Sequence, residues 1–500
     1  MKNSFYSAVL TLSLFTVIDR FLGLIFKIYL SRELGASALG TYQVAFSFFM
    51  VLLTATTSGI PLVVSKLTAR QKDPKKAGSI VSASLIIGLT ISLGAVLISI
   101  IPVINIDARS KELLYILLPA LFFSAIYSSF RGNLWGRKRY FAVSIVEIVE
   151  QVCRIVACII LFVLGVDKLF STAVSLPIGC LCSAVTVTFI YFLTGGKLSS
   201  PKGEIKPLLR SSMPITISRM ASSLVGSLTA VVVPFLLTRS GASENQALAL
   251  YGSSVGMALP LLFIPITLVG SLAFALIPTV SQNYGTKNYD AINRQVSNAI
   301  VFSVVIAGVF APIYSVLGEQ IGAFVYDDAI SGQFLSKASW TLVPLVIESL
   351  TSSVMNSLDL EKSGFINYLI GSLACFIVMF SFYGSFDIYV LPTALGIGWT
   401  VSSVLDVIAI SKRTGLGVKF WGKCVVSCLL IFPTCTVCRA VANICTPLHL
   451  FFVLAISSIV STIFYALACL LFGTVNPRLF GIYFTKRSNK RSNKAKTLAK

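Results

Sequence analysis

Fourteen stretches of mostly apolar residues follow one another through this chain, near residues 6–30, 41–65, 79–104, 113–133, 141–165, 170–194, 208–237, 248–278, 294–317, 338–358, 364–384, 388–411, 421–441 and 449–473. A helix needs about 20 such residues to cross a bilayer, and every stretch is long enough. With 56% of residues hydrophobic and 12% charged, an ordinary soluble globule is excluded. What lies between is loops of roughly 5–20 residues and a short basic tail. The fold predicted is an all-α membrane protein of about fourteen transmembrane helices.

A net charge of +21 could suggest nucleic acid, but the distribution of that charge argues against it. With the N-terminus in the cytoplasm, 29 of the 40 Lys and Arg fall on the cytoplasmic side and seven on the other (Arg32, Arg109, Lys111, Lys168, Arg239, Lys337 and Arg439). Four lie inside the apolar stretches. That asymmetry is the positive-inside rule over an even number of crossings, so both termini are expected in the cytoplasm. The tail KRSNKRSNKAK (Lys486–Lys496) reads as a topology anchor touching anionic lipid. No interleaved aromatics accompany it, so no nucleic-acid partner is expected.

The first stretch carries Asp19, Arg20 and Lys27 and lacks a small-residue cleavage site after a short apolar core, so it is read as a span and not a signal peptide. Six of the eleven cysteines lie between Cys424 and Cys469, at helical spacings. The single histidine, His449, has no carboxylate nearby, so no metal site and no cofactor is expected. The cysteines read as small packing residues of membrane helices.

An internal duplication is visible. LSRELGASALGTYQ (30–43) follows the first stretch and LTRSGASENQALALYG (237–252) follows the seventh. Each is followed by a Pro-marked helix end, Gly59-Ile60-Pro61 with Ser65 and Ile277-Pro278 with Ser281. Parallel repeats of six helices fit, since an even number keeps both copies in one orientation. The hydrophilic linker GGKLSSPKGEIKP (Gly195–Pro207) separates them. The domains expected are an N-lobe over 1–200, a C-lobe over 201–415, two additional helices over 416–475 and the basic tail over 476–500. Such bundles commonly bind substrate between lobes near the midplane.

Several motifs resemble the stage V sporulation protein B group of polysaccharide and lipid-linked oligosaccharide exporters, in the multidrug/oligosaccharidyl-lipid/polysaccharide superfamily. They are Arg20-Phe21-Leu22-Gly23, Gly40-Thr41-Tyr42-Gln43, Gly59-Ile60-Pro61 with Ser65-Lys66, Arg131-Gly132 with Gly136, Glu150-Gln151 with Arg154, and Ala249-Leu250-Tyr251-Gly252 with Gly256-Met257-Ala258-Leu259-Pro260. The resemblance spans roughly residues 5–480. It implies two six-helix lobes around a central cavity and a groove for a lipid tail along helices 13 and 14. It also implies an undecaprenyl-linked cell-wall or polysaccharide precursor as substrate, in a bacterial cytoplasmic (inner) membrane, with a role in sporulation. The lipid II flippases are relatives in that superfamily, and the match to their cavity arginines is partial. Arg20 falls on their first-helix arginine, but six residues later stands Phe26, with Lys27 beside it. Their second-helix arginine is absent, and helix 8 has none.

An ionisable residue inside a span costs at least roughly 2.5–3.5 kcal/mol on insertion scales, so each one needs a reason. Arg20 and Lys27 are seven apart and share a helical face, with Asp19 turned by about 100°. Glu147, Glu150, Gln151 and Arg154 form a stripe on helix 5. Helix 7 has Arg219, helix 10 Glu348 and helix 12 Asp406. The substrate-binding cations expected are Arg20, Lys27, Arg154 and Arg219, because a guanidinium fork suits a pyrophosphate. Asp19, Glu147, Glu150, Glu348 and Asp406 are assigned to ion coupling or charge pairing. The competing reading is structural, with Glu150 and Arg154 as a permanent buried pair and Lys27 snorkelling outward. Ser218, Ser222, Ser223, Ser352, Ser353 and Asn356 line a cavity or pack helices. Pro214, Pro234, Pro260, Pro265 and Pro278 interrupt helices 7 and 8 and suit a hinge.

The function expected is a flippase for lipid-linked saccharides, working by alternating access as a monomer and not as an enzyme. No GxxxxGK[ST] phosphate loop is present, so an ion gradient or the membrane potential would drive it. Two alternatives remain. One is a multidrug antiporter exchanging organic cations for H⁺ or Na⁺, for which an acidic cavity is typical. The other is a membrane-integral polysaccharide ligase or polymerase, which needs a large external loop. The longest external loop expected here, Gly318–Lys337, has about twenty residues and no histidine.

Overall fold

The computed structural model describes residues 2–71, 73–100, 107–385, 387, 389–417 and 419–474, and they fold as helices joined by short turns. The chain divides into two compact units, residues 1–257 with 384–386, and residues 258–383 with 387–500. The basic tail lies outside the described residues.

The first unit holds α1 (Lys2–Thr57), α2 (Ile60–Arg70), α3 (Pro74–Ile100), α4 (Ala108–Leu117), α5 (Pro119–Gly136), α6 (Tyr140–Val163), α7 (Lys168–Leu193), α8 (Ile205–Arg239) and α9 (Glu244–Tyr251). The second holds α10 (Leu259–Leu262), α11 (Ile264–Gly285), α12 (Tyr289–Tyr326), α13 (Ala329–Ala338), α14 (Leu342–Ser357), α15 (Glu361–Ser381), α16 (Val390–Thr414), α17 (Lys419–Leu429), α18 (Ile431–Ile444) and α19 (Leu450–Leu471). A π-helical turn, Gly252–Ala258, follows α9.

Among the described residues, eleven helical segments are long and apolar enough to cross a membrane. A twelfth is added if Glu244–Leu262 and Ile264–Ala273, bent by 40°, form one span. The difference from fourteen has a physical source. Ile18–Arg70 runs as one apolar helical segment of 53 residues, about 80 Å if straight at 1.5 Å per residue, against a hydrocarbon core of about 30 Å. It breaks at Gly35, whose φ of 73° and ψ of 172° lie outside the helical region. The other source is α6, where Glu147, Glu150 and Arg154 interrupt the apolar run.

The two Gly-Ala-Ser segments each interrupt a helical run at a glycine. Gly35 and Gly241 have φ of 73° and 105°, a region open to glycine without a Cβ penalty. After Gly241, Ser243 caps α9 through the Gln246 N–H while the Gln246 side chain accepts from the Ser243 N–H. The two repeat segments then pack on each other. A methyl group on Gly40 would overlap the Leu248 carbonyl, and one on Gly252 the Ala36 carbonyl, a small-residue crossing of the kind that joins membrane helices.

The core of the first unit brings Val81, Tyr127, Phe130, Leu134, Val146 and Tyr191 together from α3, α5, α6 and α7. Gly132 and Gly136, one turn apart, let α5 lie on α2. Their Cβ atoms would stand 2.8 Å from the Pro61 carbonyl and 2.7 Å from the Ser65 carbonyl. In the second unit Tyr465 is fully buried beside Gly308, and its hydroxyl donates to the Ser427 carbonyl at 3.0 Å.

The segment Gly318–Lys337, expected to be an external loop, is mostly helical. Asp327 ends α12 in the left-handed conformation, and the Asp328 carboxylate accepts from the Ser331 N–H at 2.9 Å to start α13. Two consecutive aspartates therefore cap helices, which leaves no large loop there. Pro214 and Pro234 lie inside α8, and Pro260 and Pro265 sit in the first turns of α10 and α11, flanking the 40° bend. Of Pro278 only the backbone is described.

Candidate functional site

In the first unit a cavity of about 370 Å³ is lined by Met50, Leu53, Thr54, Thr57 and Ser58 of α1 and the turn after it, by Arg131 of α5, and by Arg219, Ser222 and Ser223 of α8. Helical spacing explains the lining. Thr54, Thr57 and Ser58 are at i, i+3 and i+4, and so are Arg219, Ser222 and Ser223, which puts each set on one face. Thr54 Oγ1 and Ser223 Oγ, 2.9 Å apart, tie the two faces together. Gly59 permits the approach, since a Cβ there would overlap Thr216 and the Ser212 carbonyl of α8.

The cations in this cavity differ in their surroundings. Arg219 is exposed, and among the described residues it has no ion-pair or hydrogen-bond partner. Arg131 lies over the rings of Tyr127 and Trp135, 4.9 and 4.7 Å from their centroids. Its Nη1 stands 3.8 Å from Glu147 Oε1, and the Tyr127 hydroxyl donates to the same oxygen at 3.1 Å. Arg131 Nε and Ser58 Oγ are buried without a hydrogen-bond partner.

Arg154 lies elsewhere in the unit. It donates from Nη2 to the Tyr42 hydroxyl at 3.2 Å, its guanidinium is 5.3 Å from the Phe26 ring centroid, and its Nε is buried without a partner. Gly179 of α7 packs against the backbone of this stripe, its Cβ position 2.9 Å from the Glu150 carbonyl. Glu150 and Arg154 do not pair with each other; Glu150 accepts from the Cys180 thiol at 3.9 Å. Lys27 stands within electrostatic reach of Arg154, a like charge. Asp19 is within reach of Arg20, Glu147 and Glu150, and Arg20 is exposed.

In the second unit Asp406 is 2% exposed. It accepts from Asn367 Nδ2 at 2.8 Å and Thr351 Oγ1 at 3.1 Å, so α14, α15 and α16 meet on one carboxylate, with Glu348 in electrostatic reach. The cations proposed from sequence thus fall into separate groups: Lys27 with Arg154, Arg20 with Asp19 and the carboxylates of α6, and Arg219 in the cavity. Arg131 was not among them. It heads the basic cluster Arg131–Arg139, where the charge rule already accounts for it, and the signal that could have singled it out is the adjoining Gly132–Gly136 pair.

Residues 6–284, more than half the chain, match the family described as polysaccharide biosynthesis protein. The chain belongs to that family. Residues 247–381 also match the MatE family. Stage V sporulation protein B of Bacillus subtilis (strain 168) is 23% identical over 445 residues, covering 84% of this chain and 86% of that one. Lipid II flippase MurJ of the same organism is 20% identical over 484 residues, covering 86% and 87%. A solved structure of lipid II flippase MurJ in an inward closed conformation superposes with a TM-score of 0.73 at 15% identity, covering 92% of this chain and 98% of that one. The fold is of that type, and the family member described here is a multi-pass membrane protein of the multidrug/oligosaccharidyl-lipid/polysaccharide superfamily, in a flippase group related to the lipid II flippases.

Proposed function

We propose that this protein flips polyprenyl-diphosphate-linked saccharides across the cytoplasmic membrane by alternating access, supplying cell-wall or spore-envelope synthesis. The observation that carries the reading is Arg219, a cation with no counter-ion among the described residues, which sits in a long apolar helix and lines a hydroxyl-rich cavity beside a second arginine. Leaving a guanidinium unpaired at membrane depth is unfavourable by several kcal/mol. A diphosphate offers the planar, bidentate acceptor that offsets it. The name of one relative, a lipid II flippase, supports the same substrate class, and that of another, a sporulation protein, supports the setting.

In this proposal the chain makes fourteen crossings with both termini in the cytoplasm, counting the arms of α1 separately and including α6. Two six-helix repeats and two additional helices make up the bundle. The protein works as a monomer, and the C-terminal tail touches anionic lipid. A membrane potential or ion gradient drives the cycle, with Asp19, Glu147, Glu150, Glu348 and Asp406 as the titratable or pairing groups, and the prolines of α8, α10 and α11 give the hinge.

The MatE match favours a second reading, a multidrug antiporter. Two arginines in the cavity and no carboxylate among its lining residues weigh against an organic cation as cargo. Reconstitution into liposomes with a panel of fluorescent polyprenyl-diphosphate saccharides tests the proposal. At least one of them should reach the opposite leaflet at a protein-dependent rate. If none moves while an organic cation is carried, the second reading takes its place.

A further inference from the structure

The geometry points to a phosphate subsite formed by Arg131 and Arg219, in which Glu147 is the resident counter-ion that Arg131 gives up when a phosphate arrives. The inference rests on the transport reading above and deepens it, adding a cation from outside the stripes and a competitor for that cation.

The Arg131–Glu147 contact is loose. At 3.8 Å it is an ion pair without the 2.7–2.9 Å approach of a charge-assisted hydrogen bond. The rings of Tyr127 and Trp135 hold the guanidinium from its faces, so its position does not depend on the carboxylate. Glu147 keeps a donor of its own in the Tyr127 hydroxyl, so the carboxylate is still satisfied when Arg131 turns away.

Two buried polar atoms at the cavity, Arg131 Nε and Ser58 Oγ, have no partner. Arg219 has no partner among the described residues. Thr54 and Thr57 already spend their hydrogens on the Met50 and Leu53 carbonyls. A buried donor left unmade is expensive, and an anion with several oxygens is the chemistry that relieves several donors at once. The frame is rigid, because Gly132 and Gly136 hold α5 against α2 and Gly59 holds the end of α1 against α8.

The ligand class is a phosphate ester or diphosphate. A polyprenyl diphosphate and a soluble phosphate share that chemistry, and the experiment separates them. The full chain, purified in detergent, is titrated with farnesyl diphosphate and, in parallel, with inorganic pyrophosphate. Wild type is compared with Arg131→Lys, Arg219→Gln and Glu147→Gln.

Arg219→Gln should weaken farnesyl diphosphate binding about tenfold or more, and Arg131→Lys, which keeps charge but loses the fork, by several-fold. Glu147→Gln should tighten it by several-fold, because the competitor is gone; a purely structural role for Glu147 would not give a gain. If pyrophosphate competes with the lipid, the phosphate alone is read; if it does not, the subsite acts on a lipid-borne phosphate. Equal affinity for farnesyl diphosphate in wild type, Arg219→Gln and Glu147→Gln would overturn the subsite and Arg219's part in it, while the substrate class would still stand on that binding. No binding of either probe by wild type would remove both.

Discussion

Replacing Arg219 by alanine is expected to lower the initial rate of polyprenyl-diphosphate saccharide flipping by roughly 10- to 100-fold in proteoliposomes, with expression and melting temperature no lower than those of wild type. A hydrogen bond to a charged group contributes about 1.5–3 kcal/mol, and each 1.4 kcal/mol is about a factor of ten. Arg219 makes no bond within the protein that its loss would break, so stability has no reason to fall. Removing an uncompensated charge from an apolar helix instead favours insertion by roughly 2.5–3.5 kcal/mol. Lysine at this position should restore part of the rate, since it supplies the charge without the bidentate geometry. A variant that flips at the wild-type rate would take Arg219 out of the substrate path.

The second large effect is expected at Arg154. An Arg154→Met variant should lose transport by about tenfold or more while its stability stays within about 1–2 kcal/mol of wild type. The terms nearly cancel. Methionine removes an insertion penalty of roughly 2.5–3.5 kcal/mol. It forfeits the Tyr42 hydrogen bond, about 1.5–3 kcal/mol for a charged donor, and the Phe26 ring contact, about 0.5–2 kcal/mol. Methionine also fills the space of the alkyl stem. Thermal unfolding of the detergent-solubilised protein, read beside the flipping assay, separates the two possible roles. Stability and transport falling together would make Arg154 a strut for α6. Stability held and transport lost, the expected result, would make it a substrate cation.

Much of the bundle was legible because the membrane imposes long apolar runs on any chain that crosses it. The two Gly-Ala-Ser segments were legible as similar stretches, and Gly35 and Gly241 in them both have positive φ. The stretch Gly318–Lys337 misled because its polar residues are helix caps: Asp327 and Asp328 look like solvated loop residues until their backbones are seen to end one helix and start the next. The lone charges of the spans stood out for the same reason the spans did, against an apolar background. What spacing could not supply was their partners. Glu150 and Arg154 sit one turn apart, as an ion pair would, yet Arg154 turns to Tyr42 of α1, a choice made by tertiary packing. Arg131 stands in the sequence only as part of a motif and not as a site residue, because Arg137, Lys138 and Arg139 beside it make it read as one of a basic loop cluster.

Cations held in the apolar body of this protein are expected to meet an anionic headgroup. Equilibrium binding to the purified protein in nanodiscs tests it directly, with a polyprenyl diphosphate against an organic cation such as tetraphenylphosphonium, each at low and high salt. The diphosphate is expected to bind, with an affinity that falls in Arg219→Ala, and the organic cation is expected neither to bind nor to compete. Saturable binding of the organic cation, with the diphosphate ignored, would contradict it.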